Sequence, residues 1–382
     1  MKINWVAPHF YPETGGVETH VEQISNYLIE RGHSVTVHTS AVSVTKENLP
    51  ETGELGDIKI KRYRPSFNRS FYMSRFKPAF YLGDIIVMEG YPNLTNDYIV
   101  KKYYGKFPMV IYIQGVVLPV EGSAKRMKAL YDALMGVKTL NLADRLIAMT
   151  ELEKKWCAEE GISTDKIDII PNGIPKEAFK KYDSKAPRKK HGLNRYLLFI
   201  GRMYHEKSPV HLVNALEILK DDYPDLGVIF AGPDQGEVAK VKALAKDKNL
   251  MDRVVYAGKV EEHEKYELLA GCEAFVLPSK FEAQGIVFIE AWTQKKPVIG
   301  TRVGGVPYVI THGETGLLYD YGDMDGLTGH IKTILENPGE ARRLGEKGFA
   351  EAGQNWRWPV VIDRIEKVYE EAIEEFARRS VQ

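Results

Sequence analysis

The chain has 382 residues, 44% hydrophobic and 27% charged, and its 52 basic residues balance 52 acidic ones at zero formal net charge. That profile suits a soluble globular protein, too long for one ordinary core and matched to two domains of similar size. Zero net charge gives no support to nucleic-acid binding, no apolar run approaches the ~20 residues of a membrane span, and two distant cysteines, Cys157 and Cys272, argue against a disulfide framework or a zinc site and fit a reducing cytoplasm.

Lys2–Ala7 reads as a first buried strand rather than a signal peptide, because it lacks an h-region and a cleavage site. Val17–Glu30 reads as a helix and Ser34–Thr39 as a strand. Further strands are expected over Ile58–Tyr63, Asp84–Met88, Met109–Ile113, Arg145–Ala148 and Lys166–Ile170, with helical patterns between several of them. The stretch Lys176–Asn194 is rich in charge, carries Pro187 and lacks apolar periodicity, so it reads as a linker. The alternation then restarts over Tyr196–Ile200, Gly227–Ala231, Arg253–Tyr256, Ala274–Leu277 and Pro297–Gly300, and Trp358–Arg379 is a long amphipathic helix pattern with no strand after it. The expected fold is α/β: one Rossmann-like doubly wound domain over 1–182, a second over 190–357, and a final helix over 358–382. Sheets of this kind bind ligands at the carboxyl ends of their strands, which places a cleft, the first loop of each half and the loops after later strands at the working surface.

Three loops carry the chemistry. Pro8–Glu18 follows the first strand and puts Gly15 and Gly16 where the next helix begins, so its backbone amides can approach an anion; a plain strand-to-helix turn is the other reading. The loop lacks G-x-G-x-x-G, which leaves a dinucleotide cofactor unindicated. In the second half, Gly201-Arg202 and Lys207 stand on one loop of phosphate size, with Arg202 as a planar fork and Lys207 as a mobile point charge suited to a diphosphate. A solvated charged loop is the alternative. The third stretch is Glu282-Ala-Gln-Gly-Ile-Val-Phe-Ile-Glu290, in which Gly285 opens a helix, Ile286 and Val287 supply its first amides, and Glu282 and Glu290 can each take a pair of hydroxyls. Two glutamates on a helix prove nothing by their spacing.

Pro278-Ser279, Glu282-x7-Glu290-Ala291, Pro297–Gly300, Val303-Gly-Gly-Val-Pro307 and Gly313–Leu318 occur in one order within about forty residues. Upstream stand Gly15-Gly16-Val17-Glu18, Ile169–Ile174, Gly201-Arg202 with Lys207, and Ala231-Gly-Pro233. The chain thereby resembles glycosyltransferase family 4, the retaining enzymes of the GT-B fold, over nearly its whole length. The resemblance implies that Arg202 and Lys207 hold the donor diphosphate, Glu290 the ribose and Glu282 the transferred sugar, with Gly15, Gly16, Gly285, Ile286 and Val287 lining the donor. It also implies transfer of a hexose from a nucleoside-diphosphate-sugar to an acceptor hydroxyl, and a final helix packed on the N-terminal domain. No cofactor and no metal are expected: the lone Asp323-Met-Asp325 follows the Gly313–Leu318 block instead of ending a strand. Two departures stand out. Gln114-Gly115 replaces the usual His-Gly, so a group that cannot titrate takes that place, and Gln284 replaces an aromatic. Gln114 is kept as a catalytic candidate that orients the sugar.

Between Lys59 and Lys77 the chain alternates Lys59, Lys61, Arg62, Arg64, Arg69, Arg75 and Lys77 with Tyr63, Phe67, Phe71, Tyr72 and Phe76. Such a stretch suits an anionic membrane surface, at about 1 kcal/mol per basic residue; a solvated loop over packed aromatics is the competing reading. Arg62, Arg64, Arg69, Arg75 and Lys77, with Glu18 and His20, are the acceptor or membrane candidates. The expected partners are a nucleotide-sugar donor, a glycan or lipid acceptor and the inner face of the cell membrane, with no nucleic acid. Two alternatives remain at this level: a nucleotide-sugar 2-epimerase of the same architecture, and a non-catalytic sugar-nucleotide-binding protein.

Overall fold

The computed structural model describes residues 1–43, 45–66, 75–114 and 122–381; Phe67, Arg69, Phe71, Tyr72 and Gly115 lie outside them. The chain divides into two compact units, residues 1–172 with 358–382, and residues 173–357. Among the described residues no helix is long and apolar enough to cross a membrane.

The first unit is built on eight strands: β1 Lys2–Val6, β2 Ser34–Ser40, β3 Thr52–Leu55, β4 Ile58–Tyr63, β5 Ile85–Glu89, β6 Met109–Tyr112, β7 Arg145–Ala148 and β8 Ile167–Ile169. They run in the order β3-β4-β2-β1-β5-β6-β7-β8, parallel throughout except for the antiparallel β3–β4 edge. The central strands are apolar on both faces, as in β5, Ile-Ile-Val-Met-Glu, where all five residues are buried. Helices α1 Gly16–Glu30, α2 Leu94–Tyr103, α3 Gly122–Tyr131, α4 Val137–Leu142 and α5 Glu151–Glu159 belong to this unit. So does the C-terminal helix Trp358–Val381, whose stripe of Trp358, Val361, Ile362, Ile365, Val368, Tyr369 and Ala372 enters the same core as Trp5, Val21 and Ile24. Arg145 reinforces it by pairing with Glu371 at 2.7 Å and Glu375 at 3.2 Å.

The second unit holds six parallel strands, β9 Arg195–Ile200, β10 Leu226–Ala231, β11 Val254–Gly258, β12 Ala274–Leu277, β13 Val298–Thr301 and β14 Leu317–Tyr319, in the order β11-β10-β9-β12-β13-β14. Helices α6 Ala186–His191, α7 Val210–Leu219, α8 Val238–Asp247, α9 Glu262–Gly271, α10 Ile286–Thr293, α11 Val306–Val309, α12 Met324–Glu336 and α13 Pro338–Asn355 accompany them. The expected linker Lys176–Asn194 is a correction. The division falls at Asn172–Gly173, and the stretch beyond it forms the turn Lys176–Phe179 and helix α6, because Ala178 and Leu193 are apolar enough to join the core of the second unit.

In each sheet the strand order reverses beside the first strand, between β1 and β5 in one unit and between β9 and β12 in the other. These switch points are where a doubly wound sheet opens a crevice at its carboxyl end.

Candidate active site

At the switch point of the second unit, the loops after β9 and β12 bring Arg202, Lys207 and Glu282 together. The β9 loop is stitched down by Gly201 N–H to Ala231 O at 2.9 Å and Met203 N–H to Pro233 O at 2.8 Å. Gly232 packs so closely on Gly201 that a Cβ there would strike its carbonyl, and its φ of +138° is itself left-handed territory. Met203 is fully buried while Arg202 points out, its guanidinium 5.1 Å from the Tyr204 ring. Burial, and then a 2.6 Å hydrogen bond given to Glu206, push the Tyr204 hydroxyl up to about 12. The turn His205–Lys207 then presents the Lys207 ammonium to Oε2 of Glu282, an ion pair whose side chains are 14% and 15% exposed.

The β12 loop is held on both sides: Lys280 N–H donates to Glu206 O at 2.7 Å and Gly305 N–H to Glu282 O at 2.8 Å. Gly285 closes it with φ +78°, and any side chain there would meet the Phe288 ring, so α10 begins immediately behind Glu282. Its first amides, at Ile286 and Val287, are half-buried and have no intrahelical acceptor, as at every helix start. Glu290 lies one turn along on the face of Ile286, about 6 Å down the axis. Burial raises its carboxyl above the ordinary range, and Lys265 on α9, 2.7 Å from Oε1, pulls it back. Gln284 is also buried, and its Nε2 has no hydrogen-bond partner among the described residues.

The first-unit candidates are placed otherwise. Gly15 caps α1 with extended backbone, and Gly16 has open space around its Cα. The carboxylate of Glu18 lies against Gly15, so an internal anion already neighbours that helix start. Glu18 and His20 are corrections as exposed acceptor contacts: both are buried, at 7% and 4%. His20 Nδ1 is hydrogen-bonded to Asn172 Oδ1, and its Nε2 lies 3.5 Å from Oε1 of the fully buried Glu89, which also accepts from Trp5 Nε1 at 3.1 Å. Burial lowers His20 to about 4 and carries Glu89 well above the carboxylate range. At the end of β6, Gln114 O accepts from Tyr91 N at 3.0 Å, and Gln114 Nε2 finds no partner among the described residues.

The basic stretch separates by side chain. Arg62 is 7% exposed and donates to Tyr11 O at 2.6 Å and Pro50 O at 3.2 Å, because the alternation of β4 turns it inward; it is structural and corrects the surface assignment. Tyr63 and Phe76 stack at 6.0 Å as part of the packing. Arg64 and Lys77 are exposed and Arg75 half-buried. Arg75 and Lys77, with Lys102 of α2, sit 5.4 to 6.0 Å from the Tyr98 ring. Arg69 lies outside the described residues. Among the described residues no group of three His, Cys, Asp or Glu side chains is arranged to hold a metal.

Residues 14–178 match the family described as Glycosyltransferase Family 4, and residues 182–351 match Glycosyl transferases group 1. The chain belongs to glycosyltransferase family 4. It is similar, at 24% identity over 94% of both chains, to N-acetyl-alpha-D-glucosaminyl L-malate synthase of Bacillus anthracis. It is 29% identical to D-inositol 3-phosphate glycosyltransferase of Acidothermus cellulolyticus, over 98% of this chain and 91% of that one. With phosphatidyl-myo-inositol mannosyltransferase of Mycolicibacterium smegmatis it shares 26% over 97% and 94%. In fold, this glycosyltransferase is like the one from Rickettsia africae, with TM-score 0.78, 20% identity and 98% of each chain covered. It is also like Anabaena HepE crystallised with UDP, with TM-score 0.76, 19% identity, and 97% and 100% covered. Its two units have the GT-B architecture.

Sequence reasoning missed several residues of the glycosyltransferase's two switch points. Lys265 pairs with Glu290 from a different helix, and Glu89 and Trp5 meet His20 from different strands. Contacts between separate elements leave no spacing to read. A weak signal existed for Asn172, which stands in the quoted Ile169–Ile174 run and holds His20 of the Gly-Gly-Val-Glu loop.

Proposed function

We propose that this glycosyltransferase moves a hexose-type sugar from a nucleoside diphosphate to an acceptor hydroxyl, with retention at the anomeric carbon and without a metal. The observation that carries the reading is the Lys207–Glu282 pair at the start of α10, beside Arg202. In the donor complex Arg202, Lys207 and the first amides of α10 face the diphosphate, Glu282 accepts from hydroxyls of the transferred sugar, and Glu290 accepts from the ribose. As the C1–O bond breaks, its electron pair moves to the diphosphate oxygen, where fixed cations and helix amides stabilise it. The acceptor oxygen bonds C1 from the same face and passes its proton to that departing oxygen. Gly15 and Gly16, as donor-binding candidates, and Gln114, as the candidate that orients the sugar, belong to the other unit. The names of the relatives, which end sugars on a hydroxy acid, an inositol phosphate and an inositol lipid, support a small polyol or a lipid headgroup as acceptor.

Release of nucleoside diphosphate from UDP-, GDP- and ADP-hexoses, with products read by mass spectrometry, tests the reading. Release that requires acceptor supports it; interconversion of donor sugars without acceptor would overturn it in favour of epimerisation. Glu282→Ala should depress turnover with nucleoside diphosphate binding largely kept, and Glu290→Ala should weaken donor binding.

For the lipid acceptor we place the membrane contact on helix α3 and the turn after it, not on β4. Met127, Leu130 and Leu134 stand 57%, 61% and 66% exposed at spacings of three and four, flanked by exposed Lys125, Arg126 and Lys138. Helix α4, which follows that turn, packs against α2, whose Tyr98 ring gathers Lys77 and Lys102. An apolar stripe edged by cations suits an anionic leaflet.

A further inference from the structure

Glu290 is half of a pair that the reaction as described does not use. Lys265 Nζ, on α9, bridges Oε1 of Glu290 and Oε1 of Glu262, each at 2.7 Å, and lies 4.7 Å from the Tyr266 ring centroid. The Lys265 and Glu290 side chains are only 14% and 13% exposed, whereas Glu262 is 66% exposed. Oε2 of Glu290 makes no hydrogen bond among the described residues. A carboxylate taking both hydrogens of a vicinal diol must be ionised and held still, because a protonated acid loses acceptor capacity and a free rotamer loses the paired geometry. Burial works against ionisation here, and burial likewise lowers Lys265 before Glu290 and Glu262 together carry it upward.

We infer that Lys265 is a positioning residue for nucleoside recognition: it clamps Oε1 of Glu290 so that Oε2 meets the ribose hydroxyls, which makes the enzyme select ribonucleotide over deoxyribonucleotide donors. This rests on the reading of Glu290 as the ribose ligand. Lys265 itself touches no substrate. Its second tether to Glu262 keeps the ammonium in place while Glu290 exchanges partners on its free side. Sugars carried on a 2′-deoxynucleoside diphosphate are therefore poor donors.

The test is calorimetric binding of whichever of UDP, GDP and ADP binds tightest, and of its 2′-deoxy form, to the full chain. A hydrogen bond to a charged group predicts a preference for the ribose form of about ten- to a hundredfold in the wild type. Lys265→Met should remove most of that ten- to hundredfold preference, lowering affinity for the ribose form far more than for the deoxy form, which keeps only the 3′-hydroxyl; Lys265→Arg should restore the preference. Lys265→Gln, a smaller packing change, should give an intermediate preference, and melting curves establish that each variant is folded. If Lys265→Met keeps the full preference, or if both nucleotides weaken equally, the positioning role is wrong. Glu290→Gln separates this from failure of the underlying reading. Loss of preference in Glu290→Gln but not in Lys265→Met sinks the positioning role alone, whereas a preference that survives Glu290→Gln sinks the ribose assignment and the inference with it.

Discussion

The pair His20–Glu89 makes a quantitative prediction about how the first unit responds to pH. Its groups are wholly buried, with His20 lowered from 6.5 to about 4 and Glu89 raised well above 4.5. Folded, the pair holds one proton, on Glu89. Unfolded, between pH 4.5 and 6.5, it also holds one, on the histidine, so the two effects oppose each other in the wild-type pair. Each single variant exposes a slope. A histidine whose folded value is depressed contributes stability that is present above 6.5 and lost as pH falls toward 4. A carboxyl whose folded value is raised contributes stability that is present below 4.5 and lost as pH rises. Glu89→Gln leaves the first effect alone, so its stability should climb by about 3 kcal/mol as pH rises from about 4 to 6.5. His20→Gln leaves the second, and its stability should fall as pH rises above 4.5. Urea unfolding at a series of pH values, followed by hydrogen exchange of β1 and β5 amides, isolates the unit that holds the pair. Slopes of the same sign in both variants, or none, would refute the reasoning.

Packing and surface charge give three further outcomes. Gly232→Ala forces a methyl into the Gly201 carbonyl and should separate the β9 and β10 loops, costing about 2–3 kcal/mol in urea unfolding and weakening nucleoside diphosphate binding in calorimetry; unchanged values in both would contradict the close approach. Arg62→Met should destabilise by about 2–4 kcal/mol through its lost backbone contacts yet leave binding to anionic vesicles intact, whereas Leu130→Asp with Lys125→Glu should abolish most sedimentation with phosphatidylglycerol vesicles. Sedimentation that survives the double variant would remove the α3 face as the membrane contact.

Much of the fold was legible because its strands are continuous apolar runs. Tyr-Leu-Leu-Phe-Ile in β9 and Ala-Phe-Val-Leu in β12 are buried on both faces, and such runs announce a covered parallel sheet from composition alone. The strands that escaped notice were peripheral. β3 reads Thr-Gly-Glu-Leu, with a glycine and one apolar residue, and is a strand only because β4 pairs with it; β14 has three residues. The Lys176–Asn194 stretch misled for a related reason. Its charged residues hide Ala178, Pro187 and Leu193, and three buried side chains spaced nine and six positions apart have no period. Arg62 misled in the opposite sense, since a basic residue in a basic run looks solvated until the sheet edge supplies carbonyls for it.

The same limit decides what could be known of the site. Loop positions and glycine requirements are local, so Arg202, Lys207, Glu282 and Gly285 could be named from order along the chain. What a carboxylate does depends on the charge that faces it, and that charge comes from another element. Glu282 and Glu290 are eight residues apart, and in isolation they are equivalent. In the folded protein Glu282 answers to Lys207, an ammonium held among the described residues by that one carboxylate, and Glu290 answers to Lys265, an equally buried cation held a second time by Glu262 of its own helix. A singly paired partner lets Glu282 exchange contacts as the donor arrives and reacts, which on the proposed reading suits a group facing the bond that changes. A fixed partner suits a group that must present one oxygen in one direction throughout the cycle. On the proposed reading, the division of labour between the two glutamates resides in their lysines rather than in the motif that carries them.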